Sequence, residues 1–136
     1  MAESAEEEKV RLDRLTREII GAAIRIHRAV GPGLYETAYA AFLAHELTRR
    51  GLRYEREKPI PVEYDGIRIP LGYRLDFLVE EAIVVELKAI ERFAPVHDSQ
   101  LRSYLVLSGM KVGLLINFRS DTLIRGIRRM VNGYPD

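Results

Sequence analysis

The first third of the chain carries apolar residues at the spacing of an α-helix. Between residues 12 and 30 they follow the helical period: Leu12, Leu15, Ile19, Ala22, Ala23, Ile26 and Val30. Gly31-Pro32-Gly33 predicts the end of this helix. A second helix is expected over residues 34–50, with Gly51 placed to cap it.

The middle of the chain changes to the alternating pattern of β-strands. Extended segments are predicted over residues 54–64, 67–71, 73–79 and 83–89. Asp65-Gly66 is a strong signal for a hairpin turn between the first two segments. Gly72 could bend one long strand, so the second and third segments are either two elements or one.

The last third predicts one more strand between two helices. A helix over residues 96–108 would be closed by Gly109, and the nearly continuous apolar run of residues 111–118 is typical of a buried strand. A final helix is expected over residues 121–131, with Asp121 as its cap. This order predicts an α/β (α+β) fold in which a mixed β-sheet is flanked by helices on both faces.

Composition places the chain among soluble globular proteins and narrows its chemistry. The 136 residues suit a single domain, with residues 1–10 expected to form a flexible acidic N-terminal segment. There is no cysteine, which excludes disulfides, thiol catalysis and cysteine-bound metals. The longest uncharged run has nine residues, so no membrane-spanning helix and a cytoplasmic location are expected. The net charge of +1 does not by itself indicate nucleic-acid binding.

Two neighbouring strands of the predicted meander carry the candidate chemistry. Alternation places Leu75, Phe77 and Val79 on one face, and Asp76 on the other. We expect residues 80–82 to form the connecting loop, which pairs Val79 with Ile83 and brings Asp76 opposite Glu86. A loop of two residues would instead turn Glu86 to the other face.

Two carboxylates held about 5 Å apart repel each other unless a proton or a cation lies between them. Lys88 lies on the same face as Glu86 and supplies one positive charge. Oxygen ligands alone favour Mg²⁺ or Mn²⁺ over zinc, and such an ion polarises a phosphodiester and lowers the pKa of a bound water. Lys88 would then orient or deprotonate that water. The alternative is a charge cluster at a solvated end of the sheet, and spacing alone does not separate the two.

The pattern of Asp76 followed by Glu86-Leu87-Lys88 resembles the PD-(D/E)XK nuclease superfamily, and the element order is similar to its αβββαβ restriction-endonuclease-like core with an extra N-terminal helix. Residues 33–39, with Gly33, Glu36 and Tyr39, resemble the signature of the bacterial GxxExxY family of that superfamily. Residues 100–104 resemble the QxxxY motif of its RecB-like members. Leu75 stands where the superfamily name has proline.

The resemblance implies a role for each of these residues. Asp76, Glu86, the backbone carbonyl of Leu87 and Glu36 would hold the metal, and Lys88 would be the catalytic lysine. Gln100 and Tyr104 would support the site or contact nucleic acid.

Other side chains near the expected site have structural interpretations as well. Glu36 could cap its helix, although the family signature favours a site role. Tyr39 is favoured as a core residue with a satisfied hydroxyl group. His97, one helical turn before Gln100, could reach the rim of the site or simply be a hydrogen-bonded surface residue. Arg125, Arg128 and Arg129 are expected on the solvated face of the last helix.

The leading hypothesis is a metal-dependent nuclease that hydrolyses phosphodiester bonds in nucleic acid, DNA in preference to RNA. The alternative is a catalytically silent module of the same fold that binds nucleic acid or a protein partner. No membrane partner is expected. A homodimer would enlarge the groove for a duplex, but no sequence feature establishes one.

Overall fold

The computed structural model describes residues 2–135, within which three helices pack on a five-stranded sheet. The helices are α1 (Ala5–Val30), α2 (Glu36–Arg49) and α3 (Pro95–Ser108). The strands are β1 (Tyr54–Tyr64), β2 (Ile67–Val79), β3 (Ile83–Lys88), β4 (Val112–Asn117) and β5 (Ile127–Val131), and a 3-10 turn at Leu123–Gly126 precedes β5.

The sheet is mixed, with the strands in sequence order from β1 to β5. Only β3 and β4 run parallel among its neighbouring pairs, and α3 supplies the crossover that parallel strands require. The predicted αβββαβ order is confirmed from α2 to β4, and α1 is the additional N-terminal helix. The α+β class with a sheet flanked by helices is therefore confirmed.

The sheet separates two apolar clusters. The larger cluster joins α1 and α2 to one face of the central strands, through residues such as Ile19, Leu43, Phe77 and Leu114. The smaller cluster joins α3 to the opposite face. All residues of β3 except Lys88, and every residue of β4, are buried because helices cover both faces of these strands.

Helix α1 begins earlier than the sequence analysis places it. Ser4 and Glu7 form a capping box in which each side chain accepts a hydrogen bond from the other residue's backbone N–H. The acidic residues that suggested a flexible segment lie in the first turn, where negative charge suits the helix dipole. Residues 5–10 are thus helical.

The β1–β2 hairpin extends past the rest of the sheet as a two-stranded ribbon, formed by residues 61–72. Strand β2 is continuous through Gly72, where a Cβ atom would lie 2.0 Å from a methyl carbon of Val62, so only glycine fits. Four large apolar side chains of the ribbon are exposed: Tyr64, Ile67, Ile69 and Leu71. Three prolines lie along its strands or at its base: Pro59, Pro61 and Pro70.

The helix expected over residues 121–131 is wrong. The chain makes a 3-10 turn and then forms β5, which pairs antiparallel with β4. A Cβ atom on Gly126 would lie 2.5 Å from the carbonyl oxygen of Asn117, so the turn packs tightly against the end of β4. Pairing with β4 satisfies the backbone groups of that strand's otherwise open edge, and this outweighs the local helical spacing.

The three arginines expected on that helix are therefore not on one helical face. Arg128 of β5 pairs with Asp98 of α3 at 2.5 Å and lies over the ring of Phe93. Arg129 lies over the ring of Tyr134. In the described part of the chain, no helix is both long enough and apolar enough to cross a membrane.

Candidate active site

Asp76 and Glu86 meet where β2 and β3 part. Their strands pair in the predicted register, with residues 80–82 as the loop: Phe77 with Val85, Leu78 with Val84, and Val79 with Ile83. Beyond Phe77 the two strands are joined by side-chain carboxylates that accept hydrogen bonds from the opposite backbone. The N–H of Asp76 donates to Glu86 Oε2 at 2.7 Å, and the N–H of Leu87 donates to Asp76 Oδ2 at 2.8 Å. Each carboxylate is thereby fixed against the opposite strand.

The alternation of side chains along β2 breaks at Asp76, which corrects one prediction. Leu75 was expected on the face of Phe77 and Val79, but it packs in the cluster under α3 instead. On the neighbouring strand, Glu57 has a φ of 51°, and the β1–β2 pairing passes over Glu57 and Asp76. A local irregularity of this kind re-aims a side chain and is often found beside active sites.

The environment of these carboxylates disfavours negative charge. Glu86 is only 5% exposed, and burial, together with the charge of Asp76, raises its pKa to about 8. Burial also raises the pKa of Asp76, although the N–H of Leu87 and the charge of Lys88 oppose this. Within residues 2–135, neither carboxylate has a lysine or arginine nitrogen within 4 Å.

Glu36 and Lys88 approach this pair from two other elements. Glu36 is the first residue of α2 and lines a cleft together with Asp76 and Leu87. Burial raises the pKa of Glu36, Lys88 lowers it, and Asp76 raises it further, so the three charges lie within electrostatic reach of one another. Helix α2 has no side-chain capping hydrogen bond, so the capping interpretation of Glu36 finds no support.

Tyr39 shapes the loop in front of Glu36. Its buried hydroxyl group donates to the carbonyl of Gly31 at 2.5 Å and accepts from the N–H of Leu34 at 3.1 Å. Its ring stacks on Phe118, with centroids 4.3 Å apart. Tyr39 is therefore the satisfied core residue that the sequence analysis favoured, and it fixes the loop that leads to Glu36.

The three residues predicted from α3 have different surroundings in the structure. The ring of Tyr104 packs on Tyr73 with centroids 4.1 Å apart, and burial and the charge of Glu86 raise the pKa of Tyr104. Gln100 is exposed and makes no hydrogen bond within the described residues. His97 accepts a hydrogen bond from the N–H of Ala94 at 2.8 Å and thereby helps to begin α3.

Two residues near the site were missed by the sequence analysis. Tyr73 of β2 has a buried hydroxyl group with no hydrogen-bond partner, and its pKa is raised to about 12 by burial and by the charges of Tyr104 and Glu86. Asn117 is 2% exposed and bonds both the N–H and the carbonyl of Ile90, which steadies the chain after Lys88. The sequence did carry a signal for this role of Asn117, because an amide inside an apolar run is expected to be buried and therefore to need hydrogen-bond partners.

The donors that come together suit a cation that prefers oxygen. Among residues 2–135, no three histidine or acidic side chains are already arranged as a metal cage. Asp76 and Glu86 nevertheless bring two carboxyl groups together without a basic partner among these residues, Glu86 buried and Asp76 half-buried. A divalent ion such as Mg²⁺ offsets the repulsion that arises when both are ionised. The residues present therefore fit such an ion.

An αβββαβ core with two carboxylates and a lysine at the parting of β2 and β3 defines a class of nuclease-like proteins. A family model described as the PD-(D/E)XK nuclease superfamily matches residues 13–130, and the chain belongs to that superfamily. Membership indicates a nuclease-type function and the use of divalent metals that is general in the superfamily. Neither a curated protein nor a solved structure was found to match the chain.

Proposed function

We propose that this protein is a metal-dependent nuclease that hydrolyses phosphodiester bonds, in DNA in preference to RNA. Its Gly33-Leu34-Tyr35-Glu36-Thr37-Ala38-Tyr39 segment supports placing it in the GxxExxY group of the superfamily. The observation that carries the proposal is a pair of partly buried hydrogen bonds, in which the N–H of Asp76 donates to the Glu86 carboxylate and the N–H of Leu87 donates to the Asp76 carboxylate. Two carboxylates are held together there at a cost that a purely structural pair would avoid.

Asp76 and Glu86 would hold Mg²⁺ or Mn²⁺, with the carbonyl of Leu87 and the carboxylate of Glu36 completing the set. Asp76 and Glu86 are fixed by backbone N–H groups, so they need little rearrangement. Glu36, at the exposed start of α2, lines the same cleft as Asp76 and would complete the set from there. When bound, the ion would supply a Lewis acid that polarises the phosphate and lowers the pKa of a bound water.

Lys88 would serve the attacking water. Its half-buried side chain ends β3, and it forms no ion pair within the described residues, so its Nζ is free to hold a water or the developing negative charge. Asn117 holds Ile90 and thereby restricts the chain that follows Lys88. Tyr104 and Gln100 would support the site from α3, Tyr104 by its contact with Tyr73.

A cleavage assay tests this proposal. Wild type, Lys88→Ala and Lys9→Ala would be incubated with single- and double-stranded DNA and RNA in Mg²⁺, Mn²⁺ or EDTA. We expect cleavage in metal only, a loss of about 100-fold or more in Lys88→Ala, and no loss in Lys9→Ala, a lysine of α1 remote in sequence from the site. Circular dichroism would establish that both variants are folded.

Two results would contradict the mechanism. Cleavage by Lys88→Ala at the wild-type rate would remove Lys88 from the reaction. Binding of nucleic acid that weakens steeply with salt, without cleavage under any condition, would instead identify the catalytically silent module.

A further inference from the structure

A second cleft lies beside the candidate site and shares Glu36 with it. It is lined by residues 32–36, by Ala89 and by Arg119, and its volume is about 500 Å³, which lies within the range of roughly 300–1,000 Å³ typical of ligand sites. Glu36 lines both clefts, and Ala89 directly follows Lys88. The two clefts therefore adjoin at Glu36, so a chain bound at the candidate site has this second cleft next to it.

Tyr35 is an unusual residue at the edge of this cleft. Its side chain is 86% exposed, the largest exposure among the large apolar side chains of the described chain. The loop that carries it is nevertheless fixed, since the hydroxyl of Tyr39 bonds the backbone of Gly31 and Leu34 on the N-terminal side and α2 begins directly after it. An uncovered aromatic ring on a fixed backbone offers a flat face to a ligand.

Arg119 lies on another wall of the same cleft. It is exposed, follows β4 by two residues, and forms no ion pair within the described residues. Its backbone N–H donates to Asn117 Oδ1 at 3.2 Å, so the position of the residue is fixed although its guanidinium group is not engaged. A free guanidinium group is suited to hold a phosphate through several N–H donors.

We propose that this cleft binds one unpaired nucleotide next to the bond that is cut, with its base stacked on Tyr35 and a phosphate at Arg119. The inference rests on the proposed nuclease function and names its substrate class as single-stranded nucleic acid. A base in a duplex is stacked on both faces and cannot also cover Tyr35, whereas single-strand binding combines aromatic stacking with a positive group along the backbone.

The absence of tryptophan from the chain allows a direct test. Tyr35→Trp places one indole at the proposed stacking position, and Tyr64→Trp places one on the ribbon, where Tyr64 is 79% exposed, as a matched control. Both variants would be titrated in EDTA with single-stranded oligothymidylate and with a DNA duplex. We expect saturable fluorescence quenching only for Tyr35→Trp with the single strand. Equal quenching in both variants, or none in either, would overturn the proposal.

Binding affinities give the second readout, measured by anisotropy of a labelled oligothymidylate in EDTA. Tyr35→Ala should weaken single-strand binding roughly tenfold, and Arg119→Ala should also lower the salt dependence by about one ion. Arg125→Ala, another exposed arginine, is the control and should change neither. Cleavage by wild type, with unchanged affinity in the Tyr35 and Arg119 variants, would overturn this inference alone. Quenching without any cleavage would support the nucleotide site and contradict the proposed nuclease.

Discussion

Two buried glutamates of this protein differ in whether basic side chains surround them. Glu46 of α2 is 7% exposed and has three arginines within 4 Å, at 3.5 Å from Arg25 and Arg49 and at 4.0 Å from Arg50. Glu86 of β3 is 5% exposed and, within residues 2–135, has no arginine or lysine within that distance. Its carboxylate shares its site with Asp76 instead.

The difference separates a buried acid whose charge is compensated from one whose charge is not. The arginines around Glu46 compensate its charge and join α1 to α2, as in an ordinary structural ion cluster. Glu86 has no such compensation among the described residues, so the folded protein keeps this carboxyl group protonated above its ordinary pKa, and this lowers the free energy of unfolding. A local loss of stability that the rest of the fold compensates is typical of functional sites.

Substituting each glutamate should change stability in opposite directions. In EDTA near neutral pH, Glu86→Gln should raise the free energy of unfolding by about 2–4 kcal/mol, because the folded protein then no longer has to keep this carboxyl group protonated above its ordinary pKa. The amide also keeps an oxygen for the N–H of Asp76. Glu46→Gln should lower it by about 1–2 kcal/mol, because half-exposed arginines lose their partner. Urea unfolding would measure both values, and changes of the same sign would refute the comparison.

The pH dependence of stability sharpens the same contrast. The pKa of Glu86 rises from 4.5 in the unfolded chain to about 8 in the folded protein. As pH rises between these values, the unfolded chain releases this proton and the folded protein retains it. The free energy of unfolding should therefore fall by up to about 1.4 kcal/mol per pH unit from this group and level off above the folded pKa. Glu86→Gln should flatten the slope in EDTA, and an unchanged slope would contradict this.

Two tyrosine hydroxyl groups offer the smallest test. Tyr73→Phe removes a buried hydroxyl that has no partner, so stability should rise by about 1 kcal/mol. Tyr39→Phe removes a hydroxyl with two backbone partners, so stability should fall by about 1–2 kcal/mol. Thermal unfolding of both variants beside wild type would suffice. A loss of stability in Tyr73→Phe would show that its hydroxyl does have a partner.

The central pair of the site was predictable because register is a local property. The loop of residues 80–82 and the alternation along β3 were enough to bring Asp76 opposite Glu86. The same rule of alternation failed for Leu75, since the irregularity at Asp76 depends on the neighbouring strand and on the φ of Glu57. The register between β2 and β3 could therefore be predicted from the sequence. The side-chain direction of Leu75 could not, because it depends on β1 as a third strand.

Contacts between distant elements account for the other failures. The spacing of Leu123, Ile124 and Ile127 fits a helix, but residues 127–131 form a strand because they pair with the free edge of β4. Nothing near Tyr73 in the sequence indicates that Tyr104 of α3 will pack on its ring, because that contact depends on how α3 crosses the sheet. Likewise, Glu36 could be assigned to the site only by family resemblance, and its part in holding a metal stays a prediction.

The ribbon beyond the sheet has a consequence for how the protein behaves at high concentration. Paired strands that show apolar side chains to water are a template on which further chains add strands and grow into fibres. Strand addition needs a backbone N–H at regular intervals, and Pro59, Pro61 and Pro70 lack it along both strands of the hairpin. The three prolines therefore disfavour strand addition along this hairpin, although Tyr64 and Ile67 are exposed.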